Sequence, residues 1–221
     1  MRRWQRARQG LQGLCLVVLI LVSCSAPGSN NPQEGCGGVE ASVSCLQINS
    51  IAPIANGVNT SNVDAHQDIC IDPATGNVTA VEPFGDHNAQ ISFTNKRFPT
   101  ASNSFDIRLI GYTVSYNINQ CPTRARGCPP LPGFTVASQT TIIPANGSVT
   151  LTLPFVPLRV KDEYAAAGGE LFSTFLPSYD VTYVFTAQTV SFNQTFTVAA
   201  DAEFTIGDFL TGGFTCSGNI R

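Results

Sequence analysis

Apolar and polar residues alternate with a period of two in segment after segment of this chain, and helical periodicity is almost absent. That pattern commits the chain to strands. Successive side chains of an extended backbone point to opposite faces, so alternation means one packed face and one solvated face. Ala89, Ile91 and Phe93 oppose Gln90, Ser92 and Thr94. After an Asn146-Gly147 turn, Val149, Leu151, Leu153 and Phe155 alternate with Thr150 and Thr152. Val181, Tyr183, Phe185 and Ala187 form a third run, and Phe196, Val198, Ala200, Ala202, Phe204 and Ile206 a fourth. The short link at Ser191 to Asn193 makes these last two a long hairpin. Between Phe105 and Ile118 the phase slips: Phe105, Ile107 and Leu109 are odd-numbered, whereas Tyr112, Val114, Tyr116 and Ile118 are even. A β-bulge near Ile110-Gly111 absorbs one extra residue in this way.

Further strands are expected at 43–51, 67–72, 77–83 and 134–143, with Asp72-Pro73-Ala74-Thr75-Gly76 as the turn between two of them. The single helical candidate runs from Val160 to Leu171 and is stopped by Gly168-Gly169. About nine strands and one short helix make an all-β fold, an antiparallel β-sandwich of immunoglobulin-like type, with a closed barrel as the alternative. A transmembrane barrel would need lipid-facing apolar bands and aromatic girdles, which these strands lack.

The N-terminus reads as an address. Met1 to Gln9 carries four arginines and no acid, and Leu14 to Val22 is an unbroken apolar run of nine. A membrane-spanning helix needs about 20 such residues, so the run fits the core of a secretory signal. It closes with Leu21-Val22-Ser23-Cys24, which resembles the lipobox of a bacterial lipoprotein precursor. The resemblance implies cleavage before Cys24, a lipid on its sulfur and an acyl chain on the new amino group. Ser25 in place of an Asp implies the outer membrane. The expected organisation is a signal peptide at 1–23, a flexible tether at 24–39 and one β-sandwich domain at 40–221. The body between about 85 and 210 also resembles a set of uncharacterised bacterial lipoproteins. Gly111-Tyr112-Thr113-Val114-Ser115-Tyr116, the Pro154 to Leu158 strand leading into Lys161, and Ile206-Gly207-Asp208-Phe209 carry that likeness. It implies the fold and no site.

Cysteine usage agrees with export. Beyond Cys24 six cysteines remain, Cys36, Cys45, Cys70, Cys121, Cys128 and Cys216, enough for three disulfides. Cys121 and Cys128 bracket a short loop and are the expected pair. The other four leave three pairings open. Zinc is the competing use, but no Cys-x-x-Cys occurs and only His66 and His87 could assist.

Several function classes are disfavoured. Loss of the four leading arginines leaves eight basic against fifteen acidic residues, a formal charge of −7, with no basic stripe for nucleic acid. No Gly-x-Ser-x-Gly elbow is present, and no tryptophan follows Trp4 to stack a sugar, so no catalytic residue is expected. Asp64, His66, Asp68, Cys70 and Asp72 are spaced by two and would share one face of an extended chain, with Asp86-His87 able to approach. They are weak candidates for a calcium site. The favoured reading is an exposed edge strand whose charges block edge-to-edge pairing, with no cofactor. Arg124 and Arg126, inside the Cys121–Cys128 loop, form the candidate partner-binding loop, suited to a carboxylate or phosphate. Together these features predict a lipid-anchored, non-catalytic structural or protein-interaction module of the bacterial envelope, bound to the membrane through its lipid and to another envelope protein. A ligand-, glycan- or calcium-binding surface domain is the alternative.

Overall fold

A computed structural model describes residues 34–39, 42–123, 127–172, 174–210 and 214–220. The strands are β1 (Glu34–Val39), β2 (Ser42–Ala55), β3 (Val58–Asn59), β4 (Asn62–Asp64), β5 (Ile69–Ile71), β6 (Val78–Val81), β7 (His87–Arg97), β8 (Ile107–Gln120), β9 (Phe134–Val136), β10 (Ile142–Ile143), β11 (Ser148–Val156), β12 (Ser178–Thr189), β13 (Thr195–Gly207) and β14 (Asn219–Ile220). One helix, α1 (Leu158–Ala166), lies between β11 and β12.

Two sheets face each other. One has the order β1-β2-β7-β11 with β3 on β2; the other has the order β10-β8-β12-β13-β4 with β9 on β8. The six long strands repeat the immunoglobulin arrangement. β2, β7 and β11 stand where that fold has A, B and E, and β8, β12 and β13 where it has C, F and G. Immunoglobulin domains join strands B and F by a disulfide. Here Phe93 of β7 meets Phe185 of β12 edge to face, with ring centroids 4.9 Å apart. Two tyrosines span the sandwich as well. Tyr116 of β8 donates to the Phe155 carbonyl at 2.5 Å, and Tyr183 of β12 donates to the Pro154 carbonyl at 2.6 Å. Both carbonyls sit at the irregularity where β11 slips register against β7.

The alternating runs fall where the pattern puts them. Along β12, Tyr179, Val181, Tyr183, Phe185 and Ala187 are all buried, and Val198, Ala200, Phe204 and Ile206 answer them from β13. The bulge is present: Thr186 faces Gly111 and Ala187 faces Leu109, so Ile110 is the extra residue. Gly111 is needed there because a Cβ would come within 2.7 Å of the Val136 carbonyl.

Three expectations shift. Glu34–Val39 was expected in the tether but forms β1, paired with β2 throughout. Its glycines read as linker, yet a Cβ on Gly35 would collide with the Thr197 carbonyl, and one on Gly37 would lie 2.6 Å from the Phe196 ring. β1 uses them to lie close against β13. The helix begins at Leu158 and ends at Ala166, shorter at its end than expected, because Gly168 takes a left-handed conformation (φ +77°). The 134–143 strand is two short strands, β9 and β10, separated by an irregular stretch on the edge of β8.

A small third sheet, β14-β5-β6, lies off the sandwich. Its β5–β6 turn is the expected one: Gly76 donates to the Asp72 carbonyl at 2.8 Å and adopts φ +72°.

Candidate functional site

The described cysteines form three disulfides: Cys36–Cys45, Cys70–Cys216 and Cys121–Cys128. The first joins directly opposed residues of β1 and β2, the second ties β5 to the segment before β14, and the third closes the loop after β8. The expected Cys121–Cys128 pair is therefore formed. Its loop is docked rather than projecting freely at its downstream side: Glu170 donates to the Gly127 carbonyl at 3.2 Å and Tyr179 Oη to the Pro129 carbonyl at 2.8 Å. Arg124 and Arg126 lie outside the described residues, as does Cys24.

The polar side chains converge at the end of the sandwich where β4 meets β13. β4 is an edge strand, but it pairs with β13 in parallel, with Val63 opposite Ile206 and Asp64 opposite Gly207. Past Asp64 the chain leaves the strand, so the two-residue spacing from Asp64 to Asp72 does not place those residues on one face. Asp64 and Asp68 are also buried, which corrects the reading of an exposed, charge-protected edge. Asp72 is elsewhere: its carboxylate accepts from the Ala74 N–H and the Thr75 hydroxyl, which holds the β5–β6 turn.

Asp64 Oδ1 accepts from the backbone N–H groups of His66 (3.2 Å) and Phe209 (3.3 Å). One carboxylate oxygen thus holds together two segments 145 residues apart. Its Oδ2 is buried without a partner. Burial pushes the Asp64 pKa up to about 6. The two N–H donors work against this rise, and the nearby Glu82 charge adds to it.

Beyond Asp64, His66 Nδ1 lies 3.4 Å from Asp68 Oδ1, and the ligand atoms of His66, Asp68 and Asp208 all lie within 4.8 Å of one another. Asp208 is not among the residues expected here; the parallel β4–β13 pairing and the Asp64 Oδ1 contacts bring it in. Its carboxyl is raised first by burial and then by the Asp68 charge, while His66 lowers it. Glu82, fully buried, accepts from the Asp68 N–H at 3.3 Å. Glu34, Cys36 and Cys45 also come together, but both sulfurs are in a disulfide and cannot serve as thiolate ligands.

A cleft of about 250 Å³, open to solvent, lies beside this cluster, lined by Asp64, Asp86, His87 and Lys161 among others. Its floor has space for little more than a single water. His87 is buried, and its Nε2–H donates to the Thr60 carbonyl at 2.9 Å, leaving Nδ1 buried and unpartnered. Burial lowers its pKa from 6.5 to about 4, with the Lys161 charge as a lesser contribution. Lys161 is also buried; its Nζ donates to the Gly85 carbonyl at 2.7 Å and stands over the Phe84 ring. Burial lowers its pKa too, against the pull of Asp64 and Asp86. Asp86 accepts from the Leu158 N–H at the start of α1.

Among the described residues, neither histidine bonds to a serine or cysteine side chain: His87 pairs with the Thr60 carbonyl and His66 faces Asp68. No protein-family model, curated protein or solved structure matches the chain.

Proposed function

We propose that this chain is an exported, lipid-anchored module of a bacterial cell envelope that works by holding another envelope protein and performs no reaction itself. The observation that carries the partner-binding role is an apolar rim at the β4–β13 end. Phe172 is 66% exposed, Leu210 60% and Phe175 43%. The Asp208 N–H donates to the Leu171 carbonyl at 2.9 Å, which brings the segments bearing Phe172 and Leu210 side by side. Exposed aromatic and aliphatic side chains grouped on a rigid scaffold are the usual anchors of a protein contact. Pairing of all six cysteines after Cys24 supports an oxidising compartment. The Leu21-Val22-Ser23-Cys24 sequence supports the lipid anchor.

The test is photocross-linking in intact cells, with the reactive residue at position 172 or, as a control on the opposite sheet, at 150. The expected result is an adduct with a second envelope polypeptide from position 172 only, and release of the protein from the membrane fraction in Cys24→Ser. No adduct, or equal adducts from both positions, refutes the partner role. Membrane retention of Cys24→Ser refutes the anchor.

A further inference from the structure

We propose that His66, Asp68 and Asp208 bind one divalent cation of the zinc class, and that the ion fastens the small β5-β6-β14 sheet to the sandwich. This does not depend on the partner-binding reading.

The geometry is that of ligands waiting for an ion. His66 Nδ1 and Asp68 Oδ1 are 3.4 Å apart and make no hydrogen bond. Two ligands each about 2.1 Å from a common tetrahedral zinc stand roughly 3.4 Å from each other. Asp208 offers its oxygen within 4.8 Å of both and is half-exposed, so a small rotation brings it into range.

A second observation points the same way. The Asp68 side chain is only 5% exposed, aims at Asp208 and stands at ion-pair distance from His66, which carries a compensating charge only when protonated. A carboxylate buried in that way carries a desolvation cost that a bound cation would offset. His66 Nδ1 is likewise buried and unpartnered, while the ring as a whole is one-third exposed and gives an ion a way in.

The support around the ligands is already in place. Asp64 Oδ1 fixes the backbone on either side of the site through the His66 and Phe209 N–H groups. Such outer contacts orient ligands before the ion arrives. One imidazole with two carboxylates suits a borderline transition metal. Calcium takes six to eight oxygen ligands and has little affinity for an imidazole nitrogen, so His66 favours the transition metal. Because Asp68 leads into β5 and Asp208 leaves β13, the ion would bridge elements of two sheets that share no ladder with each other among the described residues.

The experiment uses the full chain, oxidised, purified in detergent and stripped with a chelator, then dialysed against zinc chloride, calcium chloride or magnesium chloride. Metal content and thermal midpoint are read together. The expected result is one zinc per chain and a raised midpoint in zinc alone. His66→Gln and Asp208→Asn should each weaken zinc binding by at least about tenfold. Asp72→Asn should bind as the parent does. Without metal, Asp208→Asn should melt no lower than the parent, which separates lost binding from lost folding. Zinc binding undiminished in His66→Gln, no zinc bound, or a response to calcium alone would overturn the proposal.

Discussion

His87 shows how much of a residue's chemistry is set by what buries it. Its Nε2–H is satisfied by Thr60, its ring lies 5.6 Å from the Phe155 ring, and Lys161 keeps further positive charge unwelcome. The folded pKa of about 4 lies below the ordinary 6.5, so the unfolded chain takes up the proton first as pH falls. The His87 contribution is therefore complete above pH 6.5 and is lost as pH drops toward 4. Urea titrations across pH 4 to 7 should show the stability of the parent relative to His87→Gln falling by about 2–3 kcal/mol over that window. The difference between the two proteins is the readable quantity, because Asp64, raised to about 6, acts in the opposite sense in both. None of this was visible in the chain itself. In the sequence Asp86-His87 reads as a pair able to approach the Asp64–Asp72 residues, and nothing local says that one caps α1 while the other disappears into the core.

At the scale of elements, the sequence was most informative where one strand follows another through a tight turn. The β12–β13 hairpin, the Ile110 bulge and the β5–β6 turn all follow from local alternation and turn residues. It was least informative where strands pair without a turn to announce them. The parallel β4–β13 ladder is only three residues long, yet together with the Asp64 Oδ1 contacts just beyond it, it brings Asp208 to His66 and Asp68. β1 is hidden in the sequence for a different reason: it follows directly on the polar, turn-prone Ser25 to Asn31, and only contact with β13 explains why side chains are excluded at Gly35 and Gly37. The β14-β5-β6 sheet is small, and β14 contributes two residues to it. Within it, Cys70–Cys216 pins the segment before β14 to β5. In a Cys70→Ser/Cys216→Ser variant, amide exchange should accelerate across 69–81 and 219–220 by at least about tenfold, while β7, β8 and β12 keep their protection. Equal loss everywhere would mean that the small sheet and the sandwich form one cooperative unit.

For the molecule as a whole, the sandwich places its chemistry at one end. β2 and β12 run the length of the core, and the apolar rim, the polar cleft and the three candidate ligands all gather where β4 meets the end of β13. The fold class could be read from the chain because it depends on a period-two pattern repeated over most of its length. The site could not, because it is assembled from residues as far apart as His66 and Asp208. The disulfide connectivity also carries a consequence in time. Ordered from the N-terminus, the disulfide-bonded cysteines are Cys36, Cys45, Cys70, Cys121, Cys128 and Cys216, and the Cys70–Cys216 bond encloses Cys121–Cys128. An oxidase acting on thiols in order of emergence would close Cys36–Cys45 correctly, then join Cys70 to Cys121 and leave Cys128 to wait for Cys216. Such a product must be reshuffled by thiolate exchange before β5 can meet β14. Refolding of the reduced chain with oxidant alone should accumulate Cys70–Cys121 species, detectable by peptide mapping, and a thiol–disulfide isomerase should clear them. Oxidation in that order would make an editor of disulfides as necessary to this fold as a maker of them.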